Sequence, residues 1–175
     1  MAIKKKRIDS GFTILEVICA TLVVTVGMLA LLSLFALATT LSTGARLDTQ
    51  ARDQAQQIVE SIFAARNAGS LSFNAIQNQS TDSVNGVFVD GYQNMYQPGP
   101  DGIPGTTDDV TSSLQTDAAG NQITNLKRQV LIQAVFLADG VTQNPNVRRL
   151  TVNMQYVAFG KTRTYSQQTY ISTYR

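Results

Sequence analysis

The stretch Gly11-Phe12-Thr13-Ile14-Leu15-Glu16 opens a segment that then runs from Val17 to Ala45, 29 residues, without a charge or a proline. A helix rises about 1.5 Å per residue, so this run exceeds the ~20 residues that cross a bilayer. Glu16 is the one charged residue between Gly11 and Ala45. A carboxylate held in lipid costs at least ~2.5 kcal/mol unless something neutralises it. What neutralises Glu16 is therefore the first question about function.

Upstream lie Lys4, Lys5, Lys6 and Arg7, a basic cluster that biases this end to the cytoplasmic side of a membrane. With Asp9 they give the first eleven residues a charge of +3. Of the chain's 14 basic and 12 acidic residues, ten and eleven remain after that leader, a net of −1. Nothing in that balance implies a nucleic-acid surface. An ordinary secretory signal has a shorter apolar core and a small-residue cleavage site after it. No such site ends this run, so its simplest reading is an uncleaved anchor.

Downstream the pattern changes without a break. Leu47, Ala51, Ala55, Ile58, Ile62 and Ala65 recur at three- and four-residue intervals and define an apolar helical stripe. Asp48 and Arg52 stand four apart in the favourable order for a helical ion pair. Gly69 suits a C-cap. One helix is expected from about Phe12 to Ala68, lipid-compatible over 12–45 and amphipathic over 46–68.

The remaining 69–175 read as a globular head. Leu71, Phe73 and Ile76 fit a short helical turn, and Val84 to Val89 a brief strand between turn signals. Three prolines and three glycines between Gln97 and Asp109 exclude a helix or a central strand, so 90–125 is expected to be mostly loop. Gln129 to Leu137 is nearly all apolar, as in a strand covered on both sides. Leu150, Val152, Met154 and Tyr156 alternate with polar residues, as in a half-buried strand. After a turn at Phe159-Gly160, Arg163 to Tyr174 is rich in Thr and Tyr, which suit a pleated surface. The fold class is α+β: a long N-terminal helix packed on a small antiparallel meander over 129–174.

With no histidine, the chain lacks the commonest general base and metal ligand. Cys19 is the one cysteine and lies in the apolar run, which rules out an intramolecular disulfide. Asp101, Asp108 and Asp109, set among Gly102, Gly105 and Thr106, form the candidate calcium site. Calcium takes six to eight oxygens, and glycines let carbonyls turn inward. The spacing is not that of an EF-hand, and a solvated turn held by Asx hydrogen bonds explains the same residues. The basic pairs Arg148-Arg149 and Lys161/Arg163 could meet an acidic neighbour or DNA, though a solvated strand end accounts for them.

Residues Lys4 to Glu16 resemble the leader and cleavage motif of type IV prepilins and pseudopilins: basic residues, a Gly, then Phe, apolar or Thr positions, and Glu fifth after the cut. The resemblance covers roughly residues 1–60. It implies removal of 1–11 by a prepilin peptidase cutting between Gly11 and Phe12, followed by N-methylation of Phe12. It also implies assembly through Glu16. The run Glu16-Val17-Ile18-Cys19-Ala20 is most similar to V-type minor pilins. The chain lacks the helix proline and the cysteine pair common in major pilins. Several members of the family carry a calcium loop in the head, as Asp101, Asp108 and Asp109 would here.

Physical chemistry makes this motif intelligible. Cleavage creates an amine at Phe12 that could meet Glu16 of a neighbouring subunit, turning an isolated charge into a pair. Partners would be other pilin subunits, the peptidase, an inner-membrane assembly platform and, before assembly, lipid. The expected protein is a structural subunit and not an enzyme, held in a bacterial inner membrane and then carried into a pilus. Two rivals stand beside it: a pseudopilin of type II secretion or DNA uptake, and a single-span anchored binding domain that never polymerises.

Overall fold

The computed structural model describes residues 11–117 and 119–174. The leader 1–10 lies outside the described residues, so Gly11 is the first position of the expected cleavage motif that the structure places. The chain divides into two compact units, before and after the Ser42–Thr43 junction.

One helix, α1 (Ile14–Ala68), contributes to both. It starts where Thr13 acts as N-cap: the Glu16 N–H donates to Thr13 Oγ1 at 3.3 Å, and the Val17 N–H to the Thr13 carbonyl at 3.2 Å. It ends in a Schellman turn. The Ser70 and Gly69 N–H groups donate to the Ala65 and Arg66 carbonyls, and Gly69 takes φ 80°.

In the first unit every described side chain is exposed. Its hydroxyls turn back onto the helix: Thr21 donates to Ile18 O at 2.9 Å, Thr25 to Thr21 O at 2.7 Å and Ser33 to Leu29 O at 3.0 Å. Such back-bonding satisfies each hydroxyl internally, which is what a lipid environment demands.

In the second unit the six stripe residues Leu47, Ala51, Ala55, Ile58, Ile62 and Ala65 are all buried, and Val59 joins them. They share one core with the sheet residues Leu126, Val130, Leu150, Val152, Met154 and Ile171. The anticipated Asp48–Arg52 pair along the helix does not form. Both side chains turn to the sheet instead, Asp48 accepting from the Tyr156 hydroxyl and Arg52 lying 5.4 Å from the Tyr165 ring centre.

The sheet consists of β1 (Gln93–Asn94), β4 (Leu126–Phe136), β5 (Gln143–Ala158) and β6 (Lys161–Ser172), in the order β1-β4-β5-β6 and antiparallel throughout. The three long strands form the meander that the sequence suggests. A second small sheet pairs β2 (Tyr96–Gln97) with β3 (Val110–Leu114). The β5–β6 turn is two residues long, with Phe159 at φ 56° and Gly160 at φ 70°, the double positive φ of a type I′ hairpin.

Two expectations are corrected. β4 is covered on one face only: Leu126, Arg128, Val130 and Ile132 are buried, while Phe136 remains 52% exposed. On the opposite face Lys127 and Gln133 are exposed and Gln129 and Leu131 half-buried. Val84 to Val89 is not a strand, because Asp82 Oδ1 accepts the Val84 and Asn85 N–H groups and winds that stretch into a turn. Only Phe88 forms β-bridges, to Asn78 and Thr106.

Asn78 closes a gap that β1 leaves along the edge of β4. The buried amide donates to Val130 O at 2.9 Å and accepts from the Ile132 N–H at 2.7 Å, standing in for one peptide of a missing strand. Its removal orphans two buried backbone groups, each costing about 1–3 kcal/mol. Asn78→Ala should therefore lower unfolding free energy by about 2–4 kcal/mol in urea titrations followed by circular dichroism.

Candidate functional site

The N-terminal segment places Glu16 in the first turn of α1, at the third helical position after the Thr13 cap. A carboxylate there faces the positive end of the helix dipole. Phe12, Glu16, Ala20 and Val24 border one shallow groove on the same face of the helix, with Thr21 and Thr25 beside them. The side chains around Glu16 are thus apolar or hydroxylic, and they are open to an incoming partner: Phe12 is 82% exposed. The result is an exposed apolar surface with one carboxylate set into it, on a helix long and apolar enough to cross a membrane.

The three carboxylates of the acidic loop take different partners. Asp101 Oδ1 accepts the Ile103 N–H at 2.7 Å, an Asx turn, while its own N–H donates to Asp108 Oδ2 at 3.2 Å. The Thr106 hydroxyl donates to Asp108 Oδ1 at 2.6 Å. Burial, with the neighbouring Asp108 charge adding to it, pushes the Asp101 carboxyl above its usual range. At Asp108 partial burial acts upward too, but the Thr106 hydroxyl and the Asp101 N–H outweigh it and hold that carboxyl low.

Asp109 turns away from these two. It accepts the Gly105 N–H at 2.8 Å and pairs with the guanidinium of Arg128, both side chains being almost wholly buried at 6% and 1% exposure. Arg128 Nη1 also donates to Tyr96 O at 3.1 Å, so one cation ties the loop to β2. Burial pushes Asp109 up and Arg128 down, each against the pull of the other. Gly105 is required at this point. It takes φ 92°, and a side-chain carbon there would press against Val130 at 3.0 Å.

Asp101, Asp108 and Asp109 therefore occupy one loop, but among the described residues no group of three His, Cys, Asp or Glu side chains converges as a metal site. The residue that the sequence reading missed is Arg128. It sits at an inward position of an alternating strand, and a charge at a core position is the signal that marks it. The Arg148-Arg149 pair also divides. Arg148 donates to the carbonyls of Phe73 and Ile76, both at 2.6 Å, and stacks on the Phe73 ring, while Arg149 bonds Gln133. Arg163 lies 5.1 Å from the centre of the Phe159 ring and 3.9 Å from Asp48.

Comparison with family models, curated proteins and solved structures finds no match for this chain. The reading of function rests on the residues and their geometry.

Removing one partner of a buried ion pair strands the other and costs about 3–5 kcal/mol, whereas replacing both by apolar residues is often close to neutral. Arg128→Met should lower the stability of the chain by about that amount, and adding Asp109→Leu should recover most of the loss. Urea unfolding of the two variants and the parent measures both effects.

Proposed function

We propose that this chain is a structural subunit of a type IV pilus, a minor pilin of the V type. It is cut between Gly11 and Phe12, methylated at the Phe12 amine and polymerised through the N-terminal half of α1. The observation that carries the reading is the state of residues 14–43: an apolar stretch of helix with all its side chains exposed and Glu16 as its one charge. Such a surface has no stable existence in water. It can reside in a bilayer as a monomer or against equivalent helices in a filament.

The Phe12 amine of one subunit and Glu16 of the next supply the specific step. An unpaired carboxylate in an apolar setting becomes half of an ion pair when the incoming terminus arrives. Methylation preserves the charge of the amine, so the pairing is compatible with the modification. The helix is long and apolar enough to cross a membrane. The basic leader would keep the N-terminus cytoplasmic until assembly draws the subunit outward to the periplasm or cell surface. A pseudopilin of a secretion or DNA-uptake system would use the same N-terminal chemistry, and the genes neighbouring this one would separate the two machines.

Loss of one member of a buried pair at ~3–5 kcal/mol corresponds to more than about a hundredfold in an association constant. Glu16→Ala should therefore abolish incorporation into sheared filaments while the processed subunit persists in the membrane fraction. Normal incorporation of Glu16→Ala, read by immunoblot of the two fractions, would contradict the proposed pairing.

A further inference from the structure

The two edges of the main sheet are treated differently. On the β4 side, β1 covers Lys127 and Arg128, and the Asn78 amide occupies the next backbone positions at Val130 and Ile132. On the other side β6 is the terminal strand, and among the described residues no strand pairs with its outer edge. It is twelve residues long and pairs with β5 without a register shift from Lys161 to Ser172. From Thr164 to Ser172 it contains no charge, proline or glycine. Bulges, prolines and edge charges are the usual means by which proteins prevent strand addition, and Thr164 to Ile171 has none of them in its own sequence; beyond it the Arg66 guanidinium donates to the Ser172 and Thr173 carbonyls.

We infer that the outer edge of β6 is a docking site for an extended segment of a partner polypeptide, added antiparallel as a further strand. Backbone hydrogen bonds supply affinity in this mode, and flanking side chains supply choice of partner. The exposed charges lie at one end, where Lys161 and Arg163 begin the strand, Arg163 within 3.9 Å of Asp48, and Arg52 lies over Tyr165; Arg66 at the other end is buried. An antiparallel guest therefore carries acidic residues toward its C-terminal end and hydroxyl or β-branched residues along the rest.

A second copy of this chain does not fit the site in the same way. β6 runs parallel to the buried stretch of α1: Arg163 is near Asp48, Tyr165 near Arg52, and Ser172 O accepts from Arg66. Antiparallel pairing of two β6 edges would set the two copies of α1 in opposite senses. Two subunits held by that helix in one membrane share a single sense. The docking site rests on the free edge alone, and only the exclusion of a second copy rests on the membrane placement proposed above.

The test uses the full chain in detergent micelles and a blocked twelve-residue peptide of alternating threonine and valine ending in two glutamates. Amide hydrogen exchange across Thr164–Tyr170 should slow by about tenfold at saturating peptide. The same peptide N-methylated along its backbone should have no effect. Lys161→Glu should weaken binding by about threefold and favour a version ending in two lysines, as expected for an exposed charge pair. Unchanged β6 exchange at millimolar peptide, equal protection by the N-methylated peptide, or cross-linking of β6 to β6 between copies would each overturn the inference.

Discussion

A single helix in this molecule is exposed on every side over its first half and covered along one face over its second. Up to Thr43 each described residue of α1 presents its side chain outward. From Leu47 one stripe is sealed beneath a sheet. Gly44 marks the change, because a side chain there would overlap the ring of Phe159, whose own backbone is held at φ 56° in the β5–β6 turn. A positive φ is uncommon for a bulky residue and carries a cost. Here it places an aromatic ring against a helix position that has no side chain. The exposed half depends on its surroundings for solubility, and the covered half depends on the head for its core.

Within the head the polar interactions complete the sheet and its loops. Asn78 replaces part of a strand, Arg128 closes the acidic loop onto β2, and Arg148 collects the carbonyls of the turn after α1. Each is a buried or half-buried group that meets backbone the short loops leave unpaired. This accounts for how a head without a disulfide orders its irregular half, residues 70–125. The same logic leaves β6 as the one long strand with a bare edge among the described residues.

Much of this was legible from residue order. The stripe from Leu47 to Ala65, the cap at Gly69, the turn at Phe159-Gly160 and the three-strand meander all follow from periodicity and turn chemistry, and the structure has each of them. What could not be read was long-range. Arg128 pairs with a residue 19 positions away, and Asn78 reaches 52 and 54 positions along the chain. No local pattern encodes those partners. The expected strand at 84–89 failed because Asp82 offers its carboxylate to the following N–H groups, a local competition that a hydrophobic count overlooks. β4 read as doubly covered because Leu131 and Ala134 to Leu137 extend its apolar run, although they are half-buried or exposed.

The proposal ties these parts together through an amine that does not exist in the unprocessed chain. In the proposed assembly, Glu16 gains an intersubunit partner only after the bond between Gly11 and Phe12 is cut. Mass spectrometry of the N-terminal peptide from the protein recovered from its native membrane addresses this most directly. The account predicts a chain beginning at Phe12 and carrying one methyl group on its amine. A chain that retains Met1 or Ala2 would contradict it.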